Sequence, residues 1–216
     1  MKTNHIAFLC RGSAEWAIKK KKPVREGYLK AFENILELMK LQIKKNIPIM
    51  TFYVTPLSIE RPDEYSVLID EINLFFESLI KNDFIHKNKI KVSILGKWYN
   101  LPAKSIETIK NMIDSTKDYD SYFANFCISY DGQEEIVDSC KMIGRRIKLG
   151  KFDADSITKD TIKEDLYSSY FMPPNLIFVS GKKCTMDGFL LWDSVNSEII
   201  FLKKNFPEVK ISNILK

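Results

Sequence analysis

The stretch His5-Ile-Ala-Phe-Leu-Cys-Arg-Gly-Ser-Ala-Glu-Trp16 decides how this chain is read. Its first half, His5–Cys10, is a short apolar run of strand type, and Arg11-Gly12-Ser13 then makes a turn. A glycine at the carboxyl end of a buried strand lets backbone amides approach a phosphate. Here that glycine follows an arginine and precedes Glu15, and four lysines, Lys19 to Lys22, come next.

Outward from this stretch, strand-like and helix-like runs alternate. Apolar positions Tyr28, Phe32, Ile35, Leu38, Met39 and Ile43 recur with helical period, which predicts a helix over Gly27 to Lys45. Pro48–Val54 reads as a second strand. Pro62-Asp63-Glu64 is a helix start, with proline and acids in the first turn, and the helix runs to about Ile80. Lys89–Leu95 is a third strand, Leu101–Thr116 a helix, Tyr122–Ser129 a fourth strand. Gln133–Leu149 is helical and Gly150 caps it. Lys151–Asp165 holds a short helix, Asn175–Val179 is a fifth strand and Glu198–Phe201 a sixth. This alternation predicts an α/β fold of one domain over residues 1–216, a mainly parallel sheet of about six strands flanked by helices. Ligands of such sheets bind beyond the carboxyl ends of the strands.

The chain of 216 residues carries 33 basic and 28 acidic side chains, a net charge of +5. That surplus is too small to imply nucleic acid and is compatible with a local pocket for an anion. No signal peptide or membrane-spanning run is visible, so a cytoplasmic protein is expected, with peripheral membrane contact as the limit. Cys10, Cys127, Cys140 and Cys184 form no CxxC pair and read as reduced, mostly buried thiols. With only His5 and His86, a histidine-rich zinc site is not expected.

The motifs as they stand resemble one family, the cis-prenyltransferases or undecaprenyl diphosphate synthase-like proteins. His5-Ile-Ala-Phe-Leu-Cys-Arg-Gly-Ser-Ala-Glu-Trp-Ala17 resembles HIAxIMDGNxRWA. Lys22-Pro-Val-Arg-Glu-Gly-Tyr28 resembles LPRxxGH, and Thr51-Phe-Tyr53 through Glu60-Arg-Pro62 resembles TxYAFSxENWxRP. Cys127-Ile-Ser-Tyr-Asp-Gly-Gln-Glu-Glu-Ile-Val-Asp138 resembles LNYGGRxEIVD. Asn175–Gly181, Phe189–Trp192 and Ser197-Glu198 resemble the RTSGExR region and its continuation. The resemblance implies a twisted parallel sheet with an apolar tunnel and a homodimer. It also implies magnesium-assisted addition of isopentenyl diphosphate to an allylic prenyl diphosphate. The tunnel positions it implies are Trp16, Leu68, Ile72, Phe75 and Phe76.

The departures fall on the chemistry. Arg11 stands where the resemblance implies a magnesium-binding aspartate, and a guanidinium cannot ligate a hard cation. Ser13, Glu15 and Tyr28 replace an asparagine, an arginine and a histidine. Phe178 replaces an arginine that grips the second substrate, and Lys182 replaces a glutamate. Gly12, Trp16, Arg61, Gly132, Ser180, Gly181 and Glu198 are retained, the last implied as a metal ligand. Magnesium is therefore in doubt. One reading has Arg11 supplying the metal's charge, with Arg11, Ser13 and Tyr28 as catalytic groups. Arg11, Gly12, Ser13, Arg25, Arg61, Ser180 and Lys182 would then bind the diphosphate. The other has a retired site with Arg11 paired to Glu15. The lysine run reads as a solvated loop or a lure for anions.

Three functions compete. The first is a divergent enzyme that ionises an allylic diphosphate and then cyclises it or transfers the prenyl group in an unusual way. The second is a non-catalytic subunit that forms a heterodimer with an intact homologue. The third is ordinary magnesium-dependent elongation, with Asp131, Glu134 and Asp187 as spare carboxylates.

Overall fold

The structure, a computed structural model, describes residues 3–57 and 62–215, with no account of the side chains of 62 and 63. Arg61, expected at the site, lies outside the described residues. Strands β1 (His5–Leu9), β2 (Ile49–Tyr53), β3 (Ile90–Leu95), β4 (Tyr122–Cys127), β5 (Leu176–Val179) and β6 (Glu198–Phe201) form one sheet in the order β3-β4-β2-β1-β5-β6. Every pairing is parallel. The expected strands are all present, trimmed by up to two residues at their ends.

Helices α1 (Ser13–Lys19), α2 (Val24–Lys44), α3 (Pro62–Ile80), α4 (Asp83–Lys87), α5 (Ala103–Thr116), α6 (Gly132–Lys148) and α7 (Lys159–Glu164) connect the strands. Two of them, α1 and α4, escaped the sequence reading. Each is a short segment without a full turn of apolar periodicity. The α6 terminus forms as expected: Gly150 has φ of 66°, and the amides of Gly150 and Lys151 donate to Ile147 O and Arg146 O.

The strand residues split between two faces. Ile6, Phe8, Met50, Phe52, Ala124, Phe126 and Phe178 face α2, α3 and α5. Ala7, Leu9, Ile49, Tyr53, Cys127, Ile177 and Val179 face Tyr130, Phe171, Phe189 and Leu190. On the first face, Phe178, Phe8, Phe52 and Phe126 make a ladder across four strands, with centroids 5.4, 5.6 and 5.4 Å apart. Phe75 and Phe76 close over it from α3. Buried on both faces, the strands read as continuous apolar runs rather than alternating ones.

The strand order fixes where a ligand can enter. Leaving β1, the chain moves outward through β2 to β3 and β4. It then returns to place β5 on the other side of β1. The connections diverge between β1 and β5, so a crevice opens beyond their carboxyl ends. The residues there are Arg11–Ser13 after β1 and Ser180–Gly188 after β5.

Candidate active site

The turn after β1 is held by Ser180. Its hydroxyl donates to Leu9 O at 2.7 Å and accepts from the Arg11 amide at 2.7 Å. Ser180 is buried, and its hydroxyl ties the end of β1 to the turn. Gly12 caps α1 with φ of 92°, and a β-carbon there would sit 2.3 Å from Asn205 Oδ1. Only glycine meets both conditions. Gly27, on α2, carries a similar demand: a β-carbon would stand 2.1 Å from Ser13 O. These two glycines let α1 lie against α2 and bring the turn close to the chain's last segment.

Arg11 is the centre of the crevice. Its guanidinium donates five hydrogen bonds to the loop after β5. Nε reaches Ser180 O at 3.3 Å. Nη1 reaches Thr185 Oγ1 at 3.1 Å and Asp187 Oδ2 at 2.6 Å. Nη2 reaches Lys183 O at 2.9 Å and Thr185 O at 2.7 Å. An arginine has five N–H donors, so none is left over for a phosphate. Asp187 Oδ1 in turn accepts from Thr185 Oγ1 at 2.7 Å. Of the two readings of Arg11, the one that pairs it with Glu15 is corrected: its carboxylate partner is Asp187. The nearby Tyr53 phenol is pushed well above its ordinary pKa, by burial first.

An open cleft of about 270 Å³ lies over this clasp, lined by Arg11, Gly12, Glu15, Gly181, Lys182, Lys183, Asp187 and Asn205. Lys182 and Lys183 are exposed and make no ion pair among the described residues. The sequence reading found Arg11, Gly12 and Lys182 here. It took Asp187 only as a spare carboxylate and had no signal for Thr185 or Asn205, which come from loops without periodicity.

The other expected site residues lie elsewhere. Ser13 is buried at the start of α1, and Tyr28 packs against the α2–α3 core; neither lines the cleft. Arg25 pairs with the buried Glu71 of α3 and lines a separate groove with Asp70, Asn73 and Lys104. Trp16 is half-buried beneath Lys22 Nζ, 6.0 Å from the ring centroid, and Lys22 also pairs with Glu26. Leu68, Ile72, Phe75 and Phe76 are buried in the core beneath α3. Glu198 opens β6 level with Ile6, at the amino end of the sheet. Arg11 lies about five residues further along, about 16 Å at the usual rise per residue. Within one chain, Glu198 and Arg11 cannot share a metal. Of the cysteines, Cys140 and Cys184 are exposed, contrary to expectation.

The resemblance implies magnesium, and the residues present do not fit it. Among the described residues no three His, Cys, Asp or Glu side chains converge as metal ligands. The spare carboxylates are each engaged: Asp131 caps α6, Glu134 holds Lys97 and Asp187 holds Arg11. Arg11, a fixed cation, stands at the position where the resemblance implies a metal-binding aspartate.

Residues 9–216 match the family described as "Putative undecaprenyl diphosphate synthase". The chain belongs to this cis-prenyltransferase family. It is 32% identical over 214 residues to the tritrans,polycis-undecaprenyl-diphosphate synthase (geranylgeranyl-diphosphate specific) of Thermoplasma volcanium. That match covers 98% of this chain and 83% of the relative. The enzyme of the same name from Thermoplasma acidophilum is 31% identical, with the same coverage. Among solved structures, lavandulyl diphosphate synthase from Lavandula x intermedia in complex with dimethylallyl diphosphate superposes with a TM-score of 0.93. It is 20% identical, and the match covers 99% of this chain and 92% of that one. A probable undecaprenyl diphosphate synthase from Campylobacter jejuni superposes at 0.78, with 18% identity and coverage of 98% and 91%. At such identities the structural likeness speaks for the fold. Against this cis-prenyltransferase background, the Arg11 clasp is where the chain parts from the pattern its motifs resemble. No helix among the described residues is long and apolar enough to cross a membrane.

Proposed function

We propose that this chain is a prenyl transferase that handles an allylic prenyl diphosphate in the cleft over Arg11, without a magnesium ion. The observation that carries this reading is the cleft itself. A guanidinium lies there where a metal-binding carboxylate is expected, and Lys182 and Lys183 line it as cations with no ion pair among the described residues. In the reaction, the C1–O bond of the allylic diphosphate breaks and the diphosphate leaves with the electron pair. The double bond of an acceptor such as isopentenyl diphosphate forms the new C–C bond and a proton is released. Burying a diphosphate without compensating cations costs several kcal/mol, and the two lysines supply part of that compensation. The resemblance implies a tunnel for the prenyl chain along α3, whose Leu68, Ile72, Phe75 and Phe76 pack in the apolar core.

A second reading has its own support. All five Arg11 donors are spent on the chain's own loop, and Tyr170 and Val195 are exposed at 94% and 82%. A non-catalytic subunit that docks on a second copy or an intact homologue would show both features.

The test incubates the purified chain with geranylgeranyl diphosphate and labelled isopentenyl diphosphate, in magnesium and in EDTA. The transferase reading expects products lengthened by five-carbon units in both. Activity that EDTA abolishes overturns the metal-free site. Pyrophosphate release without isopentenyl diphosphate would instead identify ionisation and cyclisation. No turnover in any mixture, with activity gained by an added intact homologue, would establish the subunit reading.

A further inference from the structure

Five oxygens surround the Arg11 guanidinium: the carbonyls of Ser180, Lys183 and Thr185, the Thr185 hydroxyl and a carboxylate oxygen of Asp187. Carbonyl, hydroxyl and carboxylate oxygens are the donors a hard cation takes. None of them would gather around a neutral or acidic side chain, because three carbonyl dipoles and a carboxylate repel one another without a cation between them. The same five contacts span the whole loop from Ser180 to Asp187, and so fasten it to the β1 turn. Lys182 and Lys183 sit inside the fastened span and line the cleft.

We infer that Arg11 is a positioning residue, a tethered cation that fills an all-oxygen cage and thereby presents Lys182 and Lys183 to an anionic ligand of the diphosphate class. The ligand half of this inference rests on the metal-free reading above; the cage half stands on the contacts alone. Because the cation is covalently part of the chain, loop closure needs no free ion. The guanidinium works through the loop and does not itself touch the ligand. Its side chain is 19% exposed, against 41% for Asp187, so the clasp is half-shielded rather than part of the core.

The experiment has two arms, both on the full chain. In the first, trypsin cleavage after Lys182 and Lys183 is followed by mass spectrometry. Cleavage requires an extended backbone, and so requires the bonds to Lys183 O and Thr185 O to break. Wild type is expected to be cut slowly, at the same rate in EDTA and in magnesium. Arg11→Ala is expected to be cut about tenfold faster or more, the scale of one lost charge-assisted bond. Millimolar guanidinium should slow that variant again, while ammonium at equal ionic strength should not. A wild-type rate that changes with magnesium overturns the cage, as do an Arg11→Ala rate equal to wild type and equal rescue by ammonium. If Arg11→Ala does not fold by circular dichroism, Asp187→Ala, which removes the carboxylate arm of the cage, takes its place with the same expectation of faster cutting.

In the second arm, calorimetry measures binding of inorganic pyrophosphate in EDTA. Lys182→Ala/Lys183→Ala should weaken binding about tenfold or more, as loss of charge-assisted contacts implies. Arg11→Ala should weaken it too, with guanidinium restoring it. Pyrophosphate binding untouched by the lysine changes overturns the presenting role. No pyrophosphate binding by wild type overturns the metal-free diphosphate reading, while the cleavage arm still decides the cage.

Discussion

His5 and Arg11 stand at opposite ends of β1, and each is a side chain that can carry a positive charge among oxygens. His5 is buried, with Nδ1 donating to Met172 O at 2.6 Å and Nε2 accepting from Thr51 Oγ1 at 2.8 Å. Asn125 Nδ2 donates in turn to Thr51 Oγ1 at 3.2 Å. That chain of donors runs one way and needs a neutral imidazole. Burial lowers the His5 pKa to about 4, although Met172 O and Asp193 pull upward. At the other end the Arg11 guanidinium meets a carboxylate and three carbonyls, with solvent near. The difference teaches how this fold handles a cationic side chain: His5 is buried in a hydrogen-bond chain that suits its neutral form, and Arg11 is saturated by a clasp at the open carboxyl end of the sheet. What separates the two ends is apolar, with Phe8 between them in the aromatic ladder.

Breaking that partition should give the largest effect. Phe52 is fully buried and stacks on Phe8 and Phe126. Phe52→Ala should cost about 3–5 kcal/mol of stability, as truncation of buried aromatics does. Urea unfolding would show it as a lower midpoint at unchanged slope. A loss below about 1 kcal/mol would mean that the ladder is loosely packed and does not isolate the two ends.

Protonating His5 should give the next effect. Its folded pKa, about 4, lies below the ordinary 6.5. The fold therefore favours the neutral form. The stabilisation is full above the unfolded value and is lost as pH falls from about 6.5 to about 4. One pKa unit is about 1.4 kcal/mol, so the loss approaches about 3 kcal/mol. Buried Glu135 works in the opposite direction: burial raises its pKa, so its contribution declines as pH rises through the carboxylate range. Urea midpoints measured from pH 7 to pH 4 should fall in wild type and fall less in His5→Gln. Equal slopes in the two proteins would remove His5 from the account.

The fold was largely legible in the sequence because it rests on apolar runs. Each strand is a short greasy stretch, and the α2 and α3 patterns place Phe32 and Phe75 where they stack, 4.7 Å apart. The site was legible only by position. Gly12 marked the turn, since its positive φ is local backbone geometry, while its approach to Asn205 and the bonds of Ser180 to Leu9 and Arg11 are tertiary. The partners of charged side chains were not legible. Arg25 chose Glu71, forty-six residues away, and Arg11 chose Asp187, one hundred and seventy-six away, over the nearby Glu15. Long side chains find carboxylates through tertiary placement, and no sequence spacing encodes that choice. The distance between Glu198 and Arg11 within one chain was not legible for a related reason. A motif fixes neighbours along the chain, but in a parallel sheet the start of a strand and its end lie on opposite edges.

The smallest effect sharpens the comparison most. Asp187→Asn removes the charge opposite Arg11 and leaves an amide oxygen that can still accept from Nη1. The pair is half-exposed, so solvent screens it and the global cost should be under about 1 kcal/mol. That cost should shrink further at high salt, because the screening length falls to a few ångströms. The His5 end predicts the reverse behaviour, since its energy is desolvation and salt scarcely reaches it. Urea midpoints of wild type, Asp187→Asn and His5→Gln at low and high salt therefore form one measurement. A loss in Asp187→Asn as large as that of Phe52→Ala, unmoved by salt, would show that the clasp carries the fold as the core does. A small, salt-sensitive loss would place it with the loops, free to serve the diphosphate proposed for the cleft.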